Sequence, residues 1–183
     1  GNWIGTNPSY TPGLGNGDRG IEIADSSNSQ IGGTGPTARN VVLGNTWTGI
    51  IVFASANTLL EGNLISDHGG SGIVIQGVTN IDVLSNLIGT DATGSTAQGN
   101  NRGLLITRDS TGVVVGGPTG RNIISGNVAD GIWIASGYPS TGDFLIENNY
   151  IGTDISGFNA IPNQPSHPAL YAGIRNEGEN CTM

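Results

Sequence analysis

In the stretch "ISDHGGSGI", Asp67 and His68 form the only adjacent Asp–His pair of the chain. A carboxylate beside an imidazole is raw material for general acid–base chemistry, where one group gives a proton and another takes one. Hydrolysis of a glycosidic bond by that route needs a second carboxylate nearby in space. The flanking sequence supplies none. Sister stretches also place Gly44-Asn45 and Gly126-Asn127 where this one has Asp67-His68, so the pair reads first as turn residues. The other histidine, His167, sits in a Pro-rich tail.

All basic side chains are arginines: six Arg and no Lys. Arg19 and Arg102 each precede a G-(I/L)-x-I string, and Arg39 and Arg121 each precede an Asn. A residue that recurs in this way suits a structural brace better than a unique catalyst. Arg108 and Arg175 do not recur and remain free for chemistry. A third candidate is the string I-G-T-(D/N), written at Ile4–Asn7, Ile88–Asp91 and Ile151–Asp154. Asp91 and Asp154, with the hydroxyls around them, are oxygen donors of the kind Ca²⁺ takes. That ion needs six to eight oxygens, usually with several carboxylates. Each loop has one Asp, and the first copy replaces it with Asn7. A phosphate cradle would need a helix start behind the glycine, whereas a strand pattern lies there.

The elements that carry these residues follow from composition and repetition. The 183 residues suit one domain, with 36% hydrophobic residues for a core, 32 Gly, 20 Asn and only 11% charged residues. Gly and Asn tolerate positive φ, so much of the chain turns. A net charge of −8 disfavours nucleic acid and anionic surfaces as partners. No apolar run approaches the ~20 residues of a membrane span, and membrane insertion is not expected. One cysteine, Cys181, allows no internal disulfide framework.

Five strings, at Gly20, Gly49, Gly72, Gly103 and Gly131, read G-(I/L)-x-(I/V), with a partial copy at Gly173. Eight residues after the first three of these glycines stand Asn28, Asn57 and Asn80, with Thr111 in the equivalent place of the fourth copy and Asp143 in the fifth. Six residues further stand Asn63, Asn86 and Asn149 in the compact copies, and nine beyond Asn63 the next string begins. The minimal unit is 23 residues, Gly49 to Gly72, and a superperiod of 84 separates Ile4 from Ile88 and Ile31 from Val115. Each unit holds three short segments of period two, which are strands. Their inward rows would be Ile21/Ile23, Ile50/Val52, Ile73/Ile75, Leu104/Ile106 and Ile132/Ile134; then Ile31, Leu60, Val83, Val114 and Ile146; then Ile4, Val42, Ile65, Ile88, Ile124 and Ile151. Such rows arise when coils stack as parallel strands about 4.8 Å apart.

These residues resemble the right-handed parallel β-helix repeat of pectate-lyase-like folds. The strings "SQIGGTGPTARNVVLGN", "VVVGGPTGRNIISGN" and "NLIGTDATG" are similar to an I-G-G/R-N-V-I-S-G-N/I-G-T-D repeat type of secreted bacterial proteins. The resemblance covers residue 1 to about Asn159. It implies an all-β, single-stranded right-handed parallel β-helix of about six coils, residues 1–183 as one domain, with 155–183 less regular. It also implies an extracellular or cell-surface location and a segment of a longer repeat protein. An asparagine ladder would run through Asn2, Asn40, Asn63, Asn86, Asn122 and Asn149 at the corner between the second and third strands. A register through Asn45 and Asn127 stays open on spacing.

Enzymes of that class place their chemistry on the outer face of the first-strand sheet. Cleavage of polyuronates there uses carboxylates for Ca²⁺ and a basic side chain. For an enzyme the candidates would be Asp67, His68, Arg108 and Arg175, strengthened if Asp82 and Asp109 joined them in one groove. The outward row of the first strand instead reads Glu22, Ile51, Val74, Leu105, Trp133 and Arg175, with Phe53 beside Ile51. An apolar stripe of this kind marks a covered or adhesive surface. It would be covered by the insert Ser136–Gly142, packed against another chain, or, around Trp133, stacked on a neutral sugar. The expectation is a non-catalytic structural or adhesive segment without a cofactor, associating with copies of itself, with further repeats or with neutral polysaccharide. The rival is a polysaccharide lyase or glycoside hydrolase.

Overall fold

The computed structural model describes residues 1–107, 109–135, 142–164, 171–178 and 180–183. Their regular structure is entirely β-strand, arranged as three parallel sheets of six strands. The first sheet contains Ile21–Ala24, Ile50–Phe53, Ser71–Gln76, Arg102–Thr107, Ile132–Ile134 and Ile174–Asn176. The second contains Gln30–Gly32, Ala56–Glu61, Thr79–Leu84, Thr111–Gly116, Phe144–Glu147 and Cys181–Thr182. The third contains Trp3–Ile4, Val41–Leu43, Leu64–Ser66, Leu87–Ile88, Ile123–Ile124 and Tyr150–Ile151. The chain visits the sheets in that order on every turn, so each strand pairs with its counterpart one turn away. This is a parallel β-helix of six coils.

Period-two alternation sends one row per strand inward, and these rows meet in a single core from Ile31 and Val42 to Ile134 and Ile146. Ile50, Leu60, Ile65, Ile73, Ile88, Leu104, Ile124 and Ile132 have no exposed surface. Burying such a side chain contributes about 2–3 kcal/mol relative to exposure. One predicted row is corrected. In the fourth coil Val115, not Val114, is the buried member, pairing with Val83 while Val114 pairs with Asp82 outside. The position of Asn28, Asn57 and Asn80 belongs there to Gly112, since its neighbour Thr111 pairs with Thr79. All four residues have left-handed φ, from 51° to 61°. Glycine fills an asparagine's place because what the corner demands is positive φ. Misplacing that corner by one residue exchanges inside and outside for the whole strand.

A second apolar cluster lies outside the barrel, on the third sheet. Val41, Leu64, Leu87 and Ile123 pair in one outward row and are nonetheless buried. Ala92 and Tyr150 pack on this row. The loops that follow I-G-T-(D/N) cover it, and Arg39 Nη1 donates to Ala92 O at 3.5 Å. At the two ends of the stack, Ile4, Ile21 and Ile23, and Ile151, Ile174 and Cys181, are only partly buried.

Candidate functional site

Polar side chains that could do chemistry are concentrated at the corners on either side of the third sheet, where two hydrogen-bonded ladders run along the stack. In the first ladder Asn2 Nδ2 donates to Asn40 Oδ1 (2.9 Å), Asn40 to Asn63 (3.0 Å), Asn63 to Asn86 (3.1 Å), Asn86 to Asn122 (3.1 Å) and Asn122 to Asn149 (2.8 Å). The Oδ1 atoms of Asn40, Asn86, Asn122 and Asn149 also accept the preceding rung's backbone N–H, as Asn86 Oδ1 does from Asn63 at 2.9 Å. The second Nδ2 hydrogen serves a strand carbonyl, as from Asn86 to Leu60 O at 2.9 Å. Amides suit this place because each carries two donors and two acceptor lone pairs.

The other register forms a second ladder: Asn16, Asn45, His68, Asn100, Asn127 and Asn163. Asn16 donates to Asn45 (2.8 Å), Asn100 to Asn127 (3.0 Å) and Asn127 to Asn163 (2.9 Å). His68 is a rung of it, 3% exposed. Its Nδ1 accepts from Asn45 N–H at 3.0 Å, which fixes the proton on Nε2, 3.1 Å from Val42 O. The imidazole thus stands in for an amide: Nδ1 replaces Oδ1, and Nε2–H replaces the Nδ2–H that Asn100 gives to Ile65 O at 3.1 Å. Burial pushes its pKa from 6.5 down to about 4, because a charged ring would lose its water. His68 is therefore neutral at physiological pH. The ladder also explains the glycine of G-I-x-I. A Cβ on Gly49 would lie 2.6 Å from both His68 Nε2 and Gly72 O, and one on Gly72 would lie 2.7 Å from Asn100 Nδ2.

Asp67 is exposed, at φ 62°, and its N–H donates to Gln98 O at 3.1 Å. It does not share a site with Arg175, which lies on the first sheet. Arg108, His167 and residues 136–141 of the insert fall outside the described residues. Asp82 is exposed on the second sheet. The enzyme candidates that can be located do not converge.

In the I-G-T-D loops the carboxylates bind their own loop. Asp91 Oδ1 accepts from Thr93 Oγ1 (2.9 Å), Ser95 N–H (3.0 Å) and Thr96 N–H (3.2 Å). Partial burial pushes its pKa up, and these donors together outweigh it and hold the carboxyl below its ordinary value. Asp154 accepts from Ser156 Oγ (2.6 Å) and Asn159 Nδ2 (2.6 Å), which hold it well below the carboxylate range. Asn7 accepts from Ser9 and Thr11 N–H at 3.0 and 3.2 Å, so a neutral amide does the same work. Donors surround these oxygens, an arrangement for a carboxylate rather than for a cation. Among the described residues no three His, Cys, Asp or Glu group as metal ligands.

The outward row of the first sheet runs in register through Glu22, Ile51, Val74, Leu105, Trp133 and Arg175. Its apolar members are not equally accessible. Ile51 and Val74 are each 9% exposed. Phe53, Leu105 and Trp133 are half-buried. Trp133 is flanked by two guanidinium groups, Arg102 at 4.7 Å and Arg175 at 5.3 Å from the ring centroid. Its Nε1–H donates to Glu177 at 3.3 Å, and Arg102 Nε lies 3.7 Å from the fully buried Asp130. The paired arginines before the first ladder clamp the next coil: Arg39 Nε reaches Gly62 O (3.3 Å) and Arg121 Nε reaches Asn148 O (3.1 Å).

Two features lay beyond the sequence reading. The loop-covered row on the third sheet had a signal, because Val41, Leu64, Leu87 and Ile123 each follow a ladder Asn. Asp130 was hidden, since nothing in "VADGIWI" marks it as buried. Neither a curated protein nor a solved structure matches this chain. A family model described as a right-handed β-helix region matches residues 9–151, in accord with the three stacked parallel sheets, and the chain belongs to the right-handed β-helix family.

Proposed function

We propose that this chain is a non-catalytic structural segment of an extracellular or cell-surface β-helix protein, which associates through its end coils. One observation carries the reading. Each end coil of the described structure presents three strand edges in the same register, Trp3–Ile4, Ile21–Ala24 and Gln30–Gly32 at one end and Tyr150–Ile151, Ile174–Asn176 and Cys181–Thr182 at the other. Partly buried Ile21, Ile23, Ile151 and Ile174 lie between those edges. Unpaired parallel edges with apolar side chains are templates for further strands, and head-to-tail pairing gives a heterologous, open-ended contact. The natural occupant is another coil of the same kind, from a second copy or from further repeats of the same polypeptide. Sedimentation velocity of the 183-residue chain should show concentration-dependent association that Ile21→Lys abolishes. A monodisperse monomer at ~100 μM, far above the ~1 μM dissociation constant that corresponds to about 8 kcal/mol of binding, would refute it.

The cluster of Trp133, Arg102, Arg175 and Glu177 supports a second reading, a polysaccharide lyase or glycoside hydrolase of the pectin-lyase-like class. It occupies the outer face of the first sheet, where that class works. Turnover of a polysaccharide that Arg175→Ala abolishes would establish it.

A further inference from the structure

The three I-G-T-(D/N) loops leave the same corner of the stack at unequal intervals. The first and second are three coils apart, the second and third two coils apart. At one strand spacing per coil these separations are about 14 and about 10 Å. Across the shorter one the loops touch, with Ile155 N–H donating to Gly94 O at 2.9 Å. Across the longer one lies a cleft, made of adjoining pockets of about 280 and 140 Å³ that share Tyr10 and Gln98. Its floor is the compact corners of the coils between, with Gly44 and Asp67; Thr11 lines one wall, and Asp91 and Thr93 line the other.

We infer that this cleft binds a neutral saccharide. Tyr10 supplies an aromatic face, 41% exposed, and meets Trp3 edge-on at 5.2 Å. It adopts φ 54°, rare for a bulky side chain, and its N–H is anchored to Asn7 O at 2.8 Å. The Asp67 carboxylate and the Gln98 side-chain amide have no hydrogen-bond partner among the described residues. One aromatic face with an open carboxylate and an open amide is the complement of a pyranose, whose C–H face stacks while its hydroxyls donate to one group and exchange bonds with the other. No Arg or Lys lines the cleft, and its formal charges, Asp67 and Asp91, are both negative. Uronates, sulfated sugars and phosphates are therefore repelled. The volume sits at the lower edge of the ~300–1,000 Å³ usual for ligand pockets, which fits a short stretch of glycan. The inference is independent of end-to-end association.

The test uses neutral hexasaccharides of β-1,4-glucan, β-1,4-mannan, β-1,3-glucan and α-1,4-glucan, with hexagalacturonate as the acidic comparison. Saturation-transfer NMR and titration calorimetry should show binding of at least one neutral chain. Tyr10→Ala and Gln98→Ala should each weaken it at least tenfold, while Phe158→Ala, which removes an exposed aromatic outside the cleft, leaves it unchanged. Strand circular dichroism and melting temperature report whether each variant is folded, and Gln98, whose fold contacts are made by its backbone, is the variant that keeps the coil intact. Absence of neutral-glycan binding at ~10 mM, tighter binding of hexagalacturonate, or binding that survives both cleft variants or is lost with Phe158→Ala would each overturn the proposal. Sedimentation of the same samples reports association separately, so failure of one idea does not imply failure of the other.

Discussion

The two ladders of this β-helix perform the same task with different parts. In the first, every rung is an asparagine, and each interior Oδ1 has two lone pairs to give. In the second, His68 interrupts the series. Its Nδ1 offers one lone pair, taken by Asn45 N–H, and Asn45 Nδ2 is left buried without a partner. Its Nε2 has one hydrogen, spent on Val42 O, so no side-chain donor reaches Asn100, which accepts only His68 N–H at 3.2 Å. Shape is preserved and valence is not. A ladder position therefore accepts a side chain short of an amide's donors and acceptors, and the deficit falls on the neighbouring rung, whose Asn45 Nδ2 stays unpaired.

The largest effect should come from breaking the uniform ladder at its centre. Asn86→Ala strands Asn63 N–H and Leu60 O in a dry interior and should destabilise the fold by about 4 kcal/mol, read as a lower urea midpoint. Next comes acid. The folded-state pKa of His68, about 4, lies below its ordinary 6.5, so between those values the unfolded chain takes up the proton more readily. The stabilisation is intact above pH 6.5 and is lost as pH falls toward 4, by on the order of 3 kcal/mol. His68→Asn should match or exceed the parent at pH 7 and should not share that loss, so the difference in urea midpoint between the two should grow steadily on acidification. A pH-independent difference would show that burial does not control this rung. The smallest effect concerns the corner clamps. Arg121 also lies over Tyr150, 4.1 Å from the ring centroid, so Arg121→Ala should cost about 1 kcal/mol, and Arg39→Ala about half that, as exposed contacts do. Thermal melts of both variants measure the contrast.

Much of the architecture was legible because stacking repeats one environment at each turn. The rows through Ile50, Ile73, Leu104 and Ile132 and through Val42, Ile65, Ile88 and Ile124 follow directly from period two and coil length. The slip at Val114 arose where a corner accepts any residue of positive φ, and Gly112 carries no amide to mark it. The choice between asparagine registers was open on spacing, and the molecule uses both. His68 in the second ladder was less legible still, because an imidazole in a turn and an imidazole replacing an amide look alike in one dimension. The cleft depends on where two loops fold over the third sheet, a long-range relation that local pattern does not encode. The apolar row through Ile51 and Val74 was readable as outward, but the burial of these two side chains was not.

The unequal spacing of the loops has an evolutionary consequence. On a stack of coils, the distance between two protrusions is quantised: it changes by one strand spacing, about 4.8 Å, or not at all. Deleting the 23 residues from Gly49 to Ser71 would place the Tyr10 loop two coils from its neighbour, the separation at which Gly94 and Ile155 already touch. Duplicating those residues would open the gap by one step. Repeat gain and loss can therefore rescale such a gap in whole increments while leaving the loop walls themselves unmutated.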